Sequence, residues 1–114
     1  MLEDMSQQGM LEDTMVVVMG EFGRSPKVNK DVGRDHWAKA GSMLFAGAGV
    51  CGGKVIGKTD AEGGSVIEHP YRPADVVYTV LSALGIDPRK LLYTPDGRPL
   101  EILDEGQRMQ ELYS

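Results

Sequence analysis

Cysteine is almost missing from this sequence. With Cys51 alone, no disulfide can form within the chain, and no zinc site can be built from several thiolates. Long apolar runs are missing as well. The longest, residues 15–19, falls far short of the roughly 20 residues that cross a bilayer, so no membrane span is expected. There is no excess of basic charge. Twelve Lys and Arg face 17 Asp and Glu, a net charge of −5, which argues against nucleic-acid partners. The opening Met1-Leu2-Glu3-Asp4 is acidic where a signal peptide is basic. What is plentiful is glycine, 15 of 114 residues, nearly double the usual share of roughly 7%. Hydrophobic residues at 41% and charged residues at 25% exclude wholesale disorder. The length allows one small domain or a piece of a larger one.

Thr14-Met15-Val16-Val17-Val18-Met19 is continuous and β-branched. It predicts a strand apolar on both faces, the pattern of a central parallel strand covered by helices. Residues 42–46 predict a second short buried strand. Lys54-Val55-Ile56 and Ser65-Val66-Ile67 read as small β pieces, a hairpin around residues 59–63. A short helix over residues 2–8 is stopped by Gly9. The best helix covers residues 73–84. Pro73 suits its first turn, Asp75 complements its dipole, and Gly85 suits the position past its end. Val76, Val77, Val80, Leu81 and Leu84 share one face, with Asp75, Thr79 and Ser82 mostly opposite. The set is thin, because one strong strand and one strong helix cannot cover both faces of a sheet.

Residues 20–41 have no hydrophobic period, and structureless loops beyond about 12–15 residues usually do something. Five basic and three acidic residues give this stretch a net of +2, which leaves −7 for the rest of the chain. Gly20-Glu21-Phe22-Gly23-Arg24 follows the predicted central strand, and open α/β sheets bind ligands beyond the carboxyl ends of their strands. There Glu21 could hold a metal and Arg24 an anion. The plainer alternative is a Glu21–Arg24 salt bridge that braces the loop. Gly33-Arg34-Asp35-His36-Trp37 adds a second guanidinium, a hard oxygen donor and an imidazole. Trp37 could wall such a site from water; alternatively His36 is a structural hydrogen bonder and Trp37 a core anchor. Glu21, Arg24, Asp35 and His36 are expected to converge at one sheet edge, with Phe22 pointing into the apolar layer. Gly47-Ala48-Gly49-Val50-Cys51-Gly52 matches the dinucleotide fingerprint, but β-like, glycine-broken sequence follows instead of a helix. A tight turn is the default there. No base is placed near Cys51 by spacing, so it reads as inert, and His69 reads as having no site role.

The text Thr14-Met15-Val16-Val17-Val18-Met19-Gly20-Glu21-Phe22-Gly23-Arg24-Ser25-Pro26 and Gly33-Arg34-Asp35-His36-Trp37 resembles a bacterial family, domain of unknown function 1501. So do Pro73-Ala74-Asp75, residues 79–87, and Asp96-Gly97-Arg98-Pro99-Leu100. That family is similar in fold to the alkaline phosphatase/sulfatase superfamily. The resemblance implies an α/β fold: a partial open sheet with a central apolar strand and flanking helices, residues 1–114 being one C-terminal piece of an alkaline-phosphatase-like domain. It implies a metal-dependent hydrolase of sulfate or phosphate esters, with an anionic ester substrate, one or two divalent metal ions as cofactor, and a periplasmic or exported setting. The nucleophile would lie in a segment outside this chain, so the piece alone is expected to be inactive. On this basis His36, Glu21 and Asp35 are the candidate metal ligands, and Arg24 and Arg34 the candidate anion binders. Phe22 stands where a ligating histidine would be, and phenylalanine cannot ligate. That departure keeps a second reading open, a non-catalytic binding or surface protein that retains the fold. A third is a small stand-alone domain that completes its sheet by dimerising; the sequence does not give the oligomeric state.

Overall fold

A computed structural model describes all residues, 1–114. The chain divides into two compact units, Met1–Pro70 with Leu112–Ser114, and Tyr71–Glu111. It is a small mixed α/β protein of short antiparallel strand pairs and few helices, with no closed sheet.

The first unit begins with α1 (Leu2–Gln7), which ends before a left-handed Gly9 as expected, and a 3-10 turn at Met10–Glu12. β1 (Val16–Met19) follows, then β2 (Gly23–Arg24), β3 (His36–Trp37) and β4 (Met43–Ala46). β1 and β4 pair antiparallel, from Val16 opposite Ala46 to Met19 opposite Met43. Both predicted strands therefore form, but the open sheet with a central parallel strand does not. β1 has one partner in a two-stranded ladder, and no helix pair sandwiches it. Val18 and Met19 are more than half exposed. The reason is local: the chain leaves β1 at Met19 and returns at Met43, its register partner, so the two strands must run in opposite directions. β5 (Lys58–Thr59) and β6 (Val66–Glu68) make the expected hairpin. Its first strand lies beyond the predicted Lys54-Val55-Ile56, whose Val55 is exposed.

The second unit holds α2 (Pro73–Ala83), β7 (Leu91–Tyr93) and β8 (Pro99–Glu101); a 3-10 turn follows at Gln110–Leu112. Pro73 opens α2, and Gly85, at φ +75°, lies past its end. The packed face is turned from the expected one: Val76 of the apolar stripe is buried and Val80 and Leu81 are half-buried, but the edges of the stripe are open. Asp75, Val76 and Thr79 are buried, while Val77 and Leu84 are 46% and 69% exposed. Hydrogen-bonding demand decides it. Asp75 Oδ2 accepts from the Arg72 N–H at 2.7 Å, closing the helix start, and its Oδ1 accepts from the Gln107 N–H at 2.9 Å. Thr79 Oγ1 donates to Asp75 O at 2.7 Å and accepts from the Met109 N–H at 2.9 Å. The chain around Gly106–Met109 is thus strapped to the helix through polar groups, with Met109 and Val76 buried in this unit. Gly106 lets the strap lie close, since a Cβ there would sit 2.7 Å from Ala74 O. No helix is long and apolar enough to cross a membrane.

Candidate functional site

The site is an excursion of residues 20–42 from one end of the β1–β4 ladder. β2 and β3 pair antiparallel within it, Gly23 opposite Trp37 and Arg24 opposite His36. Directly opposed residues project to the same face of a ladder, so the guanidinium and the imidazole are neighbours. Phe22, two residues before Arg24, joins them. Its ring lies 4.0 Å from that of His36, centroid to centroid, and the Arg24 guanidinium carbon is 5.2 Å from the Phe22 centroid. Phe22 is half-buried on this cluster rather than lost in an apolar layer, while Arg24 and His36 are exposed. The alternative Glu21–Arg24 salt bridge does not form; Arg24 contacts the Phe22 ring instead. Gly23 is required by close approach, because a Cβ there would stand 1.6 Å from Ala40 O.

The rest of the loop is spent on bracing itself. The Ser25 and Asp35 main chains are joined by Ser25 N–H donating to Asp35 O, and Asp35 N–H donates to Ser25 Oγ, both at 2.9 Å. Asn29 Oδ1 accepts from the N–H groups of Asp31 and Gly33 at 3.0 Å, and Asn29 Nδ2 donates to Asp35 Oδ1 at 2.9 Å. Arg34 Nη1 donates to the carbonyls of Ser25 at 2.8 Å and Pro26 at 2.5 Å. Trp37 Nε1 donates to Gly64 O at 2.6 Å, and the Lys39 ammonium lies 5.5 Å from its ring centroid.

Of the five predicted site residues, the structure brings Arg24 and His36 to one face. Arg34 and Asp35 serve as braces, and Glu21 is exposed beside Phe22 in sequence. Ser25 and Asn29 were not singled out from sequence; the signal for Asn29 is an Asn four residues before a Gly, a common side-chain-capped turn. The residues present do not fit a divalent ion. No group of three or more His, Cys, Asp or Glu side chains gathers in a way that could hold one. The Asp35 carboxylate, just before β3, is taken up by the Asn29 side chain. A cationic guanidinium directly across from His36 adds like-charge repulsion to any dication there. Elsewhere, Gly47, Ala48 and Gly49 all have positive φ, between +49° and +80°, in a turn with no helix after it. The segment that matches the dinucleotide fingerprint is thus the turn expected. Cys51 is exposed; its N–H donates to Leu112 O at 2.8 Å.

Comparison with protein-family models matches residues 1–113 to the family described as "Protein of unknown function (DUF1501)". The chain belongs to that family. Neither the curated proteins nor the solved structures gave a match. Family membership therefore rests on the whole length of this DUF1501 chain, and its chemistry on the geometry of the Arg24–His36 face.

Proposed function

We propose that this DUF1501 chain is the C-terminal part of a sulfate- or phosphate-ester hydrolase of the alkaline phosphatase/sulfatase type, to which it supplies an anion-holding face and no nucleophile. The observation that carries the reading is the β2–β3 register, which sets Arg24 beside His36 at the end of β1. An exported or periplasmic setting goes with it. A guanidinium can give two parallel hydrogen bonds to the oxygens of a tetrahedral ester and stabilise charge as it develops. The imidazole can donate one more from a ring N–H. The divalent ion used by such hydrolases finds no complete ligand set among these residues, so no step is assigned to it here.

The test is hydrolysis of p-nitrophenyl phosphate and p-nitrophenyl sulfate by the complete protein. Arg24→Ala is expected to lower kcat/KM by about 10²-fold, the usual cost of removing one oxyanion donor. Turnover unchanged by the substitution contradicts the reading. The second reading, a binding protein without turnover, is favoured by the Phe22 ring stacked on His36, which occupies one face of the imidazole. It predicts saturable binding of the same esters with no product.

A further inference from the structure

We infer that Arg24 and His36, both braced by the Phe22 ring, form a metal-independent site for one tetrahedral oxyanion, phosphate or sulfate. The inference takes from the proposed function only the chemical class of the ligand, and it does not require hydrolysis. Three observations carry it. Arg24 and His36 are register partners, so their donors share one face of the ladder. The Arg24 guanidinium is held by a ring and not by a carboxylate, which leaves its hydrogen-bonding edge available to a ligand. The same ring lies against the imidazole, so one side chain sets the position of both donor groups. Phe22 is thus explained by what it does. A ligating side chain there would call for a cation, whereas an aromatic ring positions two donors for an anion.

The other cation of the loop does not compete for this role. Arg34 is committed to the Ser25 and Pro26 carbonyls, and these bonds keep the segment between β2 and β3 closed. The carboxylate nearest in sequence to His36, that of Asp35, is tied to Asn29.

The experiment is NMR of the chain, titrated with inorganic phosphate, sulfate and phenyl phosphate at constant ionic strength, and separately with Mn²⁺ alone. Saturable shifts are expected at the Arg24 Nε–H and the His36 ring with all three anions. Arg24→Gln should weaken phosphate binding about tenfold or more, as loss of a charged hydrogen bond does. Arg24→Lys keeps the charge but not the fork and should weaken it severalfold; it decides the matter where the Gln variant disturbs the β2–β3 amide signals. Val32→Asn, in the same loop, should leave binding unchanged. Mn²⁺ should not broaden His36 selectively. Binding that is equal in wild type and both Arg24 variants, no saturable shift at Arg24, or selective Mn²⁺ broadening of His36 each overturns the inference. Saturable phosphate binding through Arg24 with no ester hydrolysis by the complete protein would remove the hydrolase reading and leave this site standing. Hydrolysis by the complete protein that is unchanged in Arg24→Gln contradicts the hydrolase reading as stated and, with no saturable phosphate shift at Arg24, overturns this site as well.

Discussion

In Tyr71–Glu111 the polar side chains that organise the fold are inside: Asp75 is 3% exposed and Thr79 is 0% exposed. In Met1–Pro70 the polar side chains of residues 20–42 lie mostly at the surface, and Ser25 is the buried exception. Both sets hold main chain in place. Asp75 and Thr79 bind N–H groups of the strap at Gln107 and Met109, and Asn29, Arg34 and Asp35 brace a loop. The consequences differ. A buried group that loses its partner bears the full desolvation penalty, while an exposed one is taken up by water. The first region should therefore tolerate polar substitutions that the second does not, and so can devote Arg24 and His36 to a ligand.

The largest expected effect comes where the tolerant region has no slack. Gly23→Ala puts a methyl group against Ala40 O and should cost about 4 kcal/mol or abolish the β2–β3 ladder, as read by denaturant unfolding and by loss of the Arg24 and His36 cross-strand signals. A fully stable Gly23→Ala protein with the ladder intact would break the description of the site. Next, Asp75→Ala removes acceptors from two N–H groups and should cost about 3 kcal/mol, and Thr79→Val about 2 kcal/mol. Asn29→Ala, a half-buried brace in a loop whose polar groups lie mostly at the surface, should cost about 1 kcal/mol. If urea unfolding gives Asp75→Ala and Asn29→Ala the same cost, the contrast between the two regions fails.

Smaller effects sharpen it. Val32 is a β-branched residue at φ +58° and 87% exposed, so it carries strain without burial. Val32→Asn should stabilise by about 1 kcal/mol, because Asn tolerates the left-handed region; a loss of stability would mean that Val32 has a contact of its own. Tyr71 is a partly buried counterpart in the second region. Burial first, then its hydrogen bond to Glu111 and the nearby carboxylate charges, push its pKa up to about 12. The neutral phenol is thus favoured in the folded state. Its contribution is complete below the ordinary tyrosine pKa of about 10 and is lost as pH rises through about 12. An absorbance titration should show a late tyrosine phase that is lost in Tyr71→Phe; a titration curve whose late phase is unchanged by that substitution would contradict it.

Some of this was legible in the sequence. Pro73, Asp75 and Gly85 marked the bounds of α2, because caps act locally. Its packed face was legible only in part. Val76 of the apolar stripe is buried, but Val77 and Leu84 are exposed, since the strap over α2 is secured by Asp75 and Thr79, and periodicity carries no information about such bonds. The valine run gave β1 but not its partner, which depends on where the excursion returns. In the loop, strand-end position singled out Arg24, and residue type singled out His36. That they face each other depends on a two-residue ladder too short to leave a pattern. The expected roles of Glu21 and Asp35 as ligands rested on strand-end position, residue type and the family resemblance. The bond from Asn29 to the Asp35 carboxylate leaves no pattern in the sequence.

The claim that the Arg24–His36 face takes an anion and not a metal is tested most directly by a crystal structure of the protein grown with both phosphate and zinc, with data collected across the zinc absorption edge. The account predicts phosphate density within hydrogen-bonding distance of the Arg24 guanidinium and the His36 ring, and no anomalous peak at His36. An anomalous peak on His36, with Glu21 or Asp35 completing its coordination and Arg24 turned away, would contradict it.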